Sequence, residues 1–162
     1  MSADPLAAFR LDGRVALVTG GNGGLGQAIA HGFQAAGATV VVTGRDAAKN
    51  REAADALGAG SVLALDVRDE DDVARAIAAV VERHERLDVL VNNAGVGGSY
   101  SVLDMSLDEW RLLVDTSLTG SFLCAKHGAR AMIEAGNGGS IINLGSMYSV
   151  FGPPRAVGYA SA

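Results

Sequence analysis

The chain has 162 residues, one domain's worth, and its 13 Lys and Arg against 18 Asp and Glu give a net charge of −5. That balance disfavours nucleic acid and anionic membranes as partners, and 49% hydrophobic against 19% charged residues excludes an intrinsically disordered chain. One cysteine excludes an internal disulfide and fits a cytoplasmic protein; no apolar run approaches the ~20 residues of a bilayer span, and the start of the chain, with Asp4 and Pro5, lacks an export pattern.

Residues 1–10 read as a tail. Beyond them, five short apolar runs at 14–19, 39–43, 61–65, 87–91 and 140–144 are β-branched or aliphatic and barely alternate, which is the pattern of strands buried on both faces. Helical spacing lies between them. Leu25, Ile29 and Phe33 recur on one face, as do Val73, Ile77 and Val80 or Val81. The longest such stretch, 107–134, carries a stripe of Trp110, Leu113, Val114, Leu118, Phe122 and Ala125. Ser106 and Glu109 have the spacing of a capping box at its start, and Gly136 to Gly139 end it. Strand and helix in alternation predict a doubly wound α/β domain, its parallel strands joined by right-handed crossovers.

The 22 glycines are about twice the average share of ~7%. Eight residues after the first run, Thr19-Gly20-Gly21-Asn22-Gly23-Gly24-Leu25-Gly26, hold five of them. Glycine permits positive φ and close approach of a ligand to the backbone, and the N-terminus of the following helix attracts phosphate. A dinucleotide pyrophosphate is the functional reading of this turn; a tight strand-to-helix turn without a ligand is the alternative.

The spacing T-G-x-x-x-G-x-G resembles that of the short-chain dehydrogenase/reductase family. Asn92-Asn93-Ala94-Gly95 after the fourth run resembles its N-N-A-G segment. Asp66-Val67 after the third resembles its adenine-holding pair, and Ser146 followed by Tyr159 has its spacing of catalytic Ser and Tyr. The resemblance runs from about Leu11 to Ala162. It implies a Rossmann-type NAD(P)-binding domain over 11–162, with the sheet cut off after about five strands, and hydride transfer between a nicotinamide and an alcohol or ketone. It assigns Tyr159 as acid/base, Ser146 as the group that holds the substrate oxygen, and a cofactor site of Gly20, Asn22, Gly24, Leu25, Gly26, Arg45, Asp66, Val67, Asn93, Ala94 and Gly95.

Two departures accompany it. The family carries a Lys four positions after the Tyr, which lowers the phenol's pKa from its free value near ~10; here Ala162, the last residue, stands just before that position. Members are about half as long again, so the sequence is expected to be the N-terminal part of a longer enzyme, inactive or aggregation-prone by itself. Ser117 stands where the family places a water-holding Asn, and a serine hydroxyl offers one donor where an amide offers two. The resemblance also implies a homodimer or homotetramer through the 107–134 helix.

Gly44 and Arg45 end the second run in place of an acidic residue. Gly44 leaves room and the Arg45 guanidinium suits a 2′-phosphate, so NADP is expected ahead of NAD. Residues 96–100 and 147–154 are expected to flank the substrate pocket, with Tyr148, Val150 and Phe151 as a partly apolar wall. The sequence does not choose among sugar acids, 3-oxoacyl thioesters and small alicyclic ketones as substrates. His31, His84 and His127 lack the spacing of a metal site, and Cys124 reads as core. A non-catalytic dinucleotide-binding module is the competing function; it needs neither Ser146 nor Tyr159.

Overall fold

The computed structural model describes residues 6–58 and 60–162. The five apolar runs form strands β1 (Val15–Val18), β2 (Thr39–Gly44), β3 (Val62–Ala64), β4 (Val89–Asn92) and β5 (Ser140–Asn143). They make one parallel sheet in the order β3-β2-β1-β4-β5, with Leu17 between Val41 and Leu90. The connections are α1 (Gly24–Ala35), α2 (Ala47–Leu57), α3 (Glu70–His84), α4 (Leu107–Val114) and α5 (Gly120–Glu134), followed by the short α6 (Tyr148–Phe151) and α7 (Val157–Ser161).

The strands do not alternate because both faces are covered. Val15 and Leu17 pack with Val41 and Leu90 against Val73, Ile77 and Val80 of α3 and Leu123, Cys124 and Met132 of α5. Ala16 and Val18 pack with Val40, Val42 and Val91 against Ala30 of α1 and Ala53 and Leu57 of α2. Each fully buried Val or Leu contributes roughly 1.5–3 kcal/mol, against about 0–1 for an exposed ion pair, so these two layers carry the fold.

Helix starts follow local chemistry. Asp46 accepts from the Ala48 and Lys49 N–H groups, Asp69 accepts from Asp72 N–H, and Ser106 and Glu109 form both bonds of the capping box. Glu70, Asp71 and Asp72 open α3 and Arg83 stands in its last turn, each sign facing the favourable end of the helix dipole.

The 107–134 segment departs from the expected single helix. A π-helical turn, Asp115–Thr119, separates α4 from α5. Its extra residue rotates the inner face. Leu113, Thr116, Leu123 and Cys124 are buried, while Leu118 and Phe122 of the expected stripe are 51% and 61% exposed. Leu25 also leaves the predicted core face, at 64% exposure.

At the N-terminal edge of the sheet, Asp88 is buried just before β4. It accepts from Arg14 Nη1 and Val15 N–H, both at 2.9 Å, and from Arg86 Nε at 2.7 Å. Burial by itself would raise its pKa; the Arg86, Val15 and Arg14 hydrogen bonds outweigh burial and hold it at about 2.

Candidate active site

The crossovers from β1 and β4 diverge, and a crevice opens beyond their C-terminal ends, where open α/β sheets bind ligands. Thr19 and Asn93 tie its two sides together. The buried Thr19 hydroxyl accepts from Asn93 N–H at 3.1 Å and Ala94 N–H at 3.0 Å. Asn93 Nδ2 donates to Thr19 O at 2.8 Å and Gly20 O at 3.1 Å. The Asn-Asn-Ala-Gly segment is therefore a staple on the glycine turn. Gly20 has φ +62°, and a Cβ on Gly26 would lie 2.6 Å from Gly20 O and against the Asn93 amide, so only glycine fits where α1 meets that staple.

The resulting cleft has a volume of about 550 Å³. α1 enters it with no side-chain cap, unlike α2, α3 and α4, and with no acidic residue in its first turn, unlike α3 and α4. A Cβ at Gly23 or Gly24 would meet nothing within 4 Å. Uncapped N–H groups facing open space fit a dinucleotide pyrophosphate. Gly20, Asn22, Gly24, Leu25, Gly26, Arg45, Val67, Asn93, Ala94 and Gly95 all line the cleft.

One expectation at its far end is corrected. Gly44 does not leave empty room: the Asn22 amide lies against its Cα, where any side chain would collide. Asp66 does not line the cleft. It sits two residues past the end of β3, bonded through Oδ2 to Arg68 Nη2 at 2.6 Å and 4.0 Å from Arg45, and it borders a neighbouring depression. The Arg68 bond holds its carboxyl below the ordinary range. Lys49, one turn into α2 from its Asp46 cap, lines the cleft beside Arg45 and was not anticipated. Its signal was a cation three residues beyond a helix cap.

A second cavity of about 370 Å³ adjoins the cleft and shares Leu25, Asn93, Ala94, Gly95 and Val96 with it. Ser117, Ser146 and Tyr159 line it together. Ser117 lies in the π-helical turn, and its buried Oγ has no hydrogen-bond partner. Ser146 Oγ accepts from Tyr148 N–H at 3.2 Å. Tyr159 stands edge-on to the Tyr148 ring, with centroids 6.1 Å apart. α7 presents it: Gly158 is buried where a Cβ would strike Leu113 and the Met105 side chain, so helix α7 sits close on α4. The expected apolar wall is absent. Val150 and Phe151 are 79% and 74% exposed, and Ser149 is the residue of the 147–154 stretch that reaches the cavity.

Other reactive groups stand apart. Burial pushes the Cys124 thiol up to about 12, which leaves it inert at neutral pH. His127 pairs with Glu70 at 3.1 Å. Among the described residues no three His, Cys, Asp or Glu side chains gather as a metal site, and no helix is long and apolar enough to cross a membrane.

The short chain dehydrogenase family pattern matches residues 14–162. The chain belongs to that family. This short-chain dehydrogenase sequence is 39% identical over 153 residues to an NADP-dependent (R)-specific alcohol dehydrogenase of Lentilactobacillus kefiri, covering 93% of this chain and 61% of that one. It is 37% identical to a 3-oxoacyl-[acyl-carrier-protein] reductase of Synechocystis, covering 94% and 63%. It is 40% identical to a trans-4-hydroxycyclohexanecarboxylate dehydrogenase of Sinomonas cyclohexanicum, covering 94% and 62%. A crystal structure assigned to the short-chain alcohol dehydrogenases, from Sinorhizobium meliloti 1021, superposes with a TM-score of 0.85 at 41% identity, covering 94% of this chain and 62% of that one. The chain thus spans less than two thirds of the length of each.

Proposed function

We propose that the whole protein is an NAD(P)-dependent oxidoreductase that interconverts a secondary alcohol and a ketone. The observation that carries this is the shared wall: the cavity holding Ser117, Ser146 and Tyr159 opens directly onto the glycine-lined cleft. A nicotinamide bound there supplies or takes up the hydride at the substrate carbon. The chain's own groups handle the oxygen. Ser146 donates a hydrogen bond that orients it, and the Tyr159 hydroxyl gives it a proton during reduction or removes one during oxidation. Ser117 Oγ, buried and unpartnered on the same cavity, holds a water or the substrate oxygen. Val67, Ala94 and Gly95 line the cofactor cleft, and Arg45 and Lys49 favour a 2′-phosphate, hence NADP ahead of NAD. Leu118, Phe122 and Ile133, all exposed, form the face through which two or four copies associate. One buried cysteine suits a cytoplasmic location.

The test is turnover of the whole protein with NADPH and NADH against aliphatic and alicyclic ketones, sugar-derived ketones and a 3-oxoacyl thioester. Tyr159→Phe should lower kcat by roughly 10²–10⁴-fold while leaving the Kd for cofactor within about threefold. Cofactor binding without turnover of any carbonyl, or an undiminished kcat in Tyr159→Phe, would instead favour a dinucleotide-binding module.

A further inference from the structure

Asn50 lies on α2 and does not line the cofactor cleft, yet two hydrogen bonds make it a bridge between residues that do. Its Nδ2 donates to Gly44 O at 2.9 Å, and its Oδ1 accepts from Asn22 Nδ2 at 2.7 Å. The direction of this chain is forced. The Gly44 carbonyl only accepts, so the Asn50 nitrogen must face it; the Asn50 oxygen is then left for Asn22, which must donate. Asn22 is thereby pinned by its nitrogen flat against Gly44, with its Oδ1 bonded to no described residue. That spot is the C-terminal end of β2, where a carboxylate conventionally meets the 2′-hydroxyl of an adenosine ribose. Here it is filled by a neutral amide. The charged residues lining the cleft are Arg45, Asp46 and Lys49, and Asp46 Oδ1 caps α2 through bonds of 2.8 and 3.0 Å.

We infer that Asn50 is a positioning residue for the 2′ end of the cofactor. By locking Asn22 over Gly44 it keeps the ribose edge off the end of β2 and turns the 2′ substituent toward Arg45 and Lys49, so that the cleft selects a 2′-phosphate. The inference rests on the dinucleotide reading of the cleft. It assigns the selection to a residue outside the cleft, acting through an amide with no charge.

The probes are adenosine 2′,5′-bisphosphate and adenosine 5′-monophosphate, which differ only in the 2′-phosphate and carry no nicotinamide. Each is titrated calorimetrically into the protein and into Asn50→Ala and Asn50→Asp. The unsubstituted protein should prefer the bisphosphate at least tenfold. Asn50→Ala frees Asn22. Asn50→Asp can still accept from Asn22 but cannot donate to Gly44 O, and it brings a negative charge near the 2′ position. Each variant should cut the preference about tenfold, through weaker bisphosphate binding, with monophosphate affinity changed less than threefold. A purely structural role would lower the melting temperature and weaken both probes alike, leaving the ratio unchanged. An unchanged ratio in either folded variant overturns the inference while the dinucleotide reading stands. Failure of the unsubstituted protein to bind either probe, NADPH or NADH overturns both.

Discussion

The two ends of β4 hold polar residues of similar size with different partners. Before its first residue, Asp88 is saturated by two guanidinium groups and a backbone N–H. After its last, Asn93 spends its amide nitrogen on the glycine turn, and nearby Asn92 Oδ1 and Ser117 Oγ are buried without partners. A buried polar group without a partner costs about 1–3 kcal/mol, so native proteins keep few of them. Asn137 Oδ1, beside Asp88, is unpartnered as well, so what distinguishes a structural edge from a ligand edge is the ion-paired carboxylate at one tip and the amide bonded to the glycine turn at the other. The same sheet geometry serves both, and only the side chains at the tips differ.

Asp88→Asn tests the structural edge and should have the larger effect. It removes the charge that two arginines share and should destabilise the fold by about 2–3 kcal/mol in chemical denaturation, without altering the bisphosphate preference. The pH dependence has a definite sign. The folded pKa of about 2 lies below the ordinary carboxylate value, so the stabilisation is complete above about pH 4 and is lost as pH falls through about 2. A shift of that size is worth about 2 kcal/mol, and an Asp88→Asn protein should show correspondingly flatter stability between pH 5 and 2.

Asn93→Ala tests the ligand edge. It leaves Thr19 O and Gly20 O without their donor and should cost about 1–2 kcal/mol, but it should also weaken NADPH binding about tenfold, a loss that Asp88→Asn does not share. Equal loss of binding in the two variants would erase the distinction between the edges. Ser106→Ala is the smallest change. It removes half of the α4 capping box, far along the chain from both tips, and should cost about 1 kcal/mol in the melt with cofactor affinity untouched.

Much of this was legible in the sequence where a local rule decides the outcome. The strands within 14–19 and 87–91 announced themselves because burial on both faces leaves short apolar runs, Val15 to Val18 and Val89 to Val91, that do not alternate. The glycine turn and the Ser146–Tyr159 spacing pointed to the cleft and to the cavity those residues line. What stayed hidden depends on contacts distant along the chain. The Asn22–Asn50 bond joins residues 28 positions apart, and nothing in either neighbourhood signals it. The filling of Gly44 follows from that bond. α2 was scarcely marked because its alanines and charges bury only Ala53 and Leu57. The exposure of Val150 and Phe151 defied the rule that large apolar side chains line pockets, since composition carries no direction.

The π-helical turn at Asp115–Thr119 behaves as a spacer set into a screw. Each residue of an α-helix advances the direction of its side chain by about 100°. Winding these same residues as unbroken α-helix would swing everything from Gly120 onward by about that angle against α3. Phe122 would be carried toward the sheet in place of Leu123, and Ser117 would lose the irregular backbone that sets it on the cavity wall. A single insertion in the helical count thus fixes two things together: which residues the sheet receives, and which hydroxyl the cavity keeps.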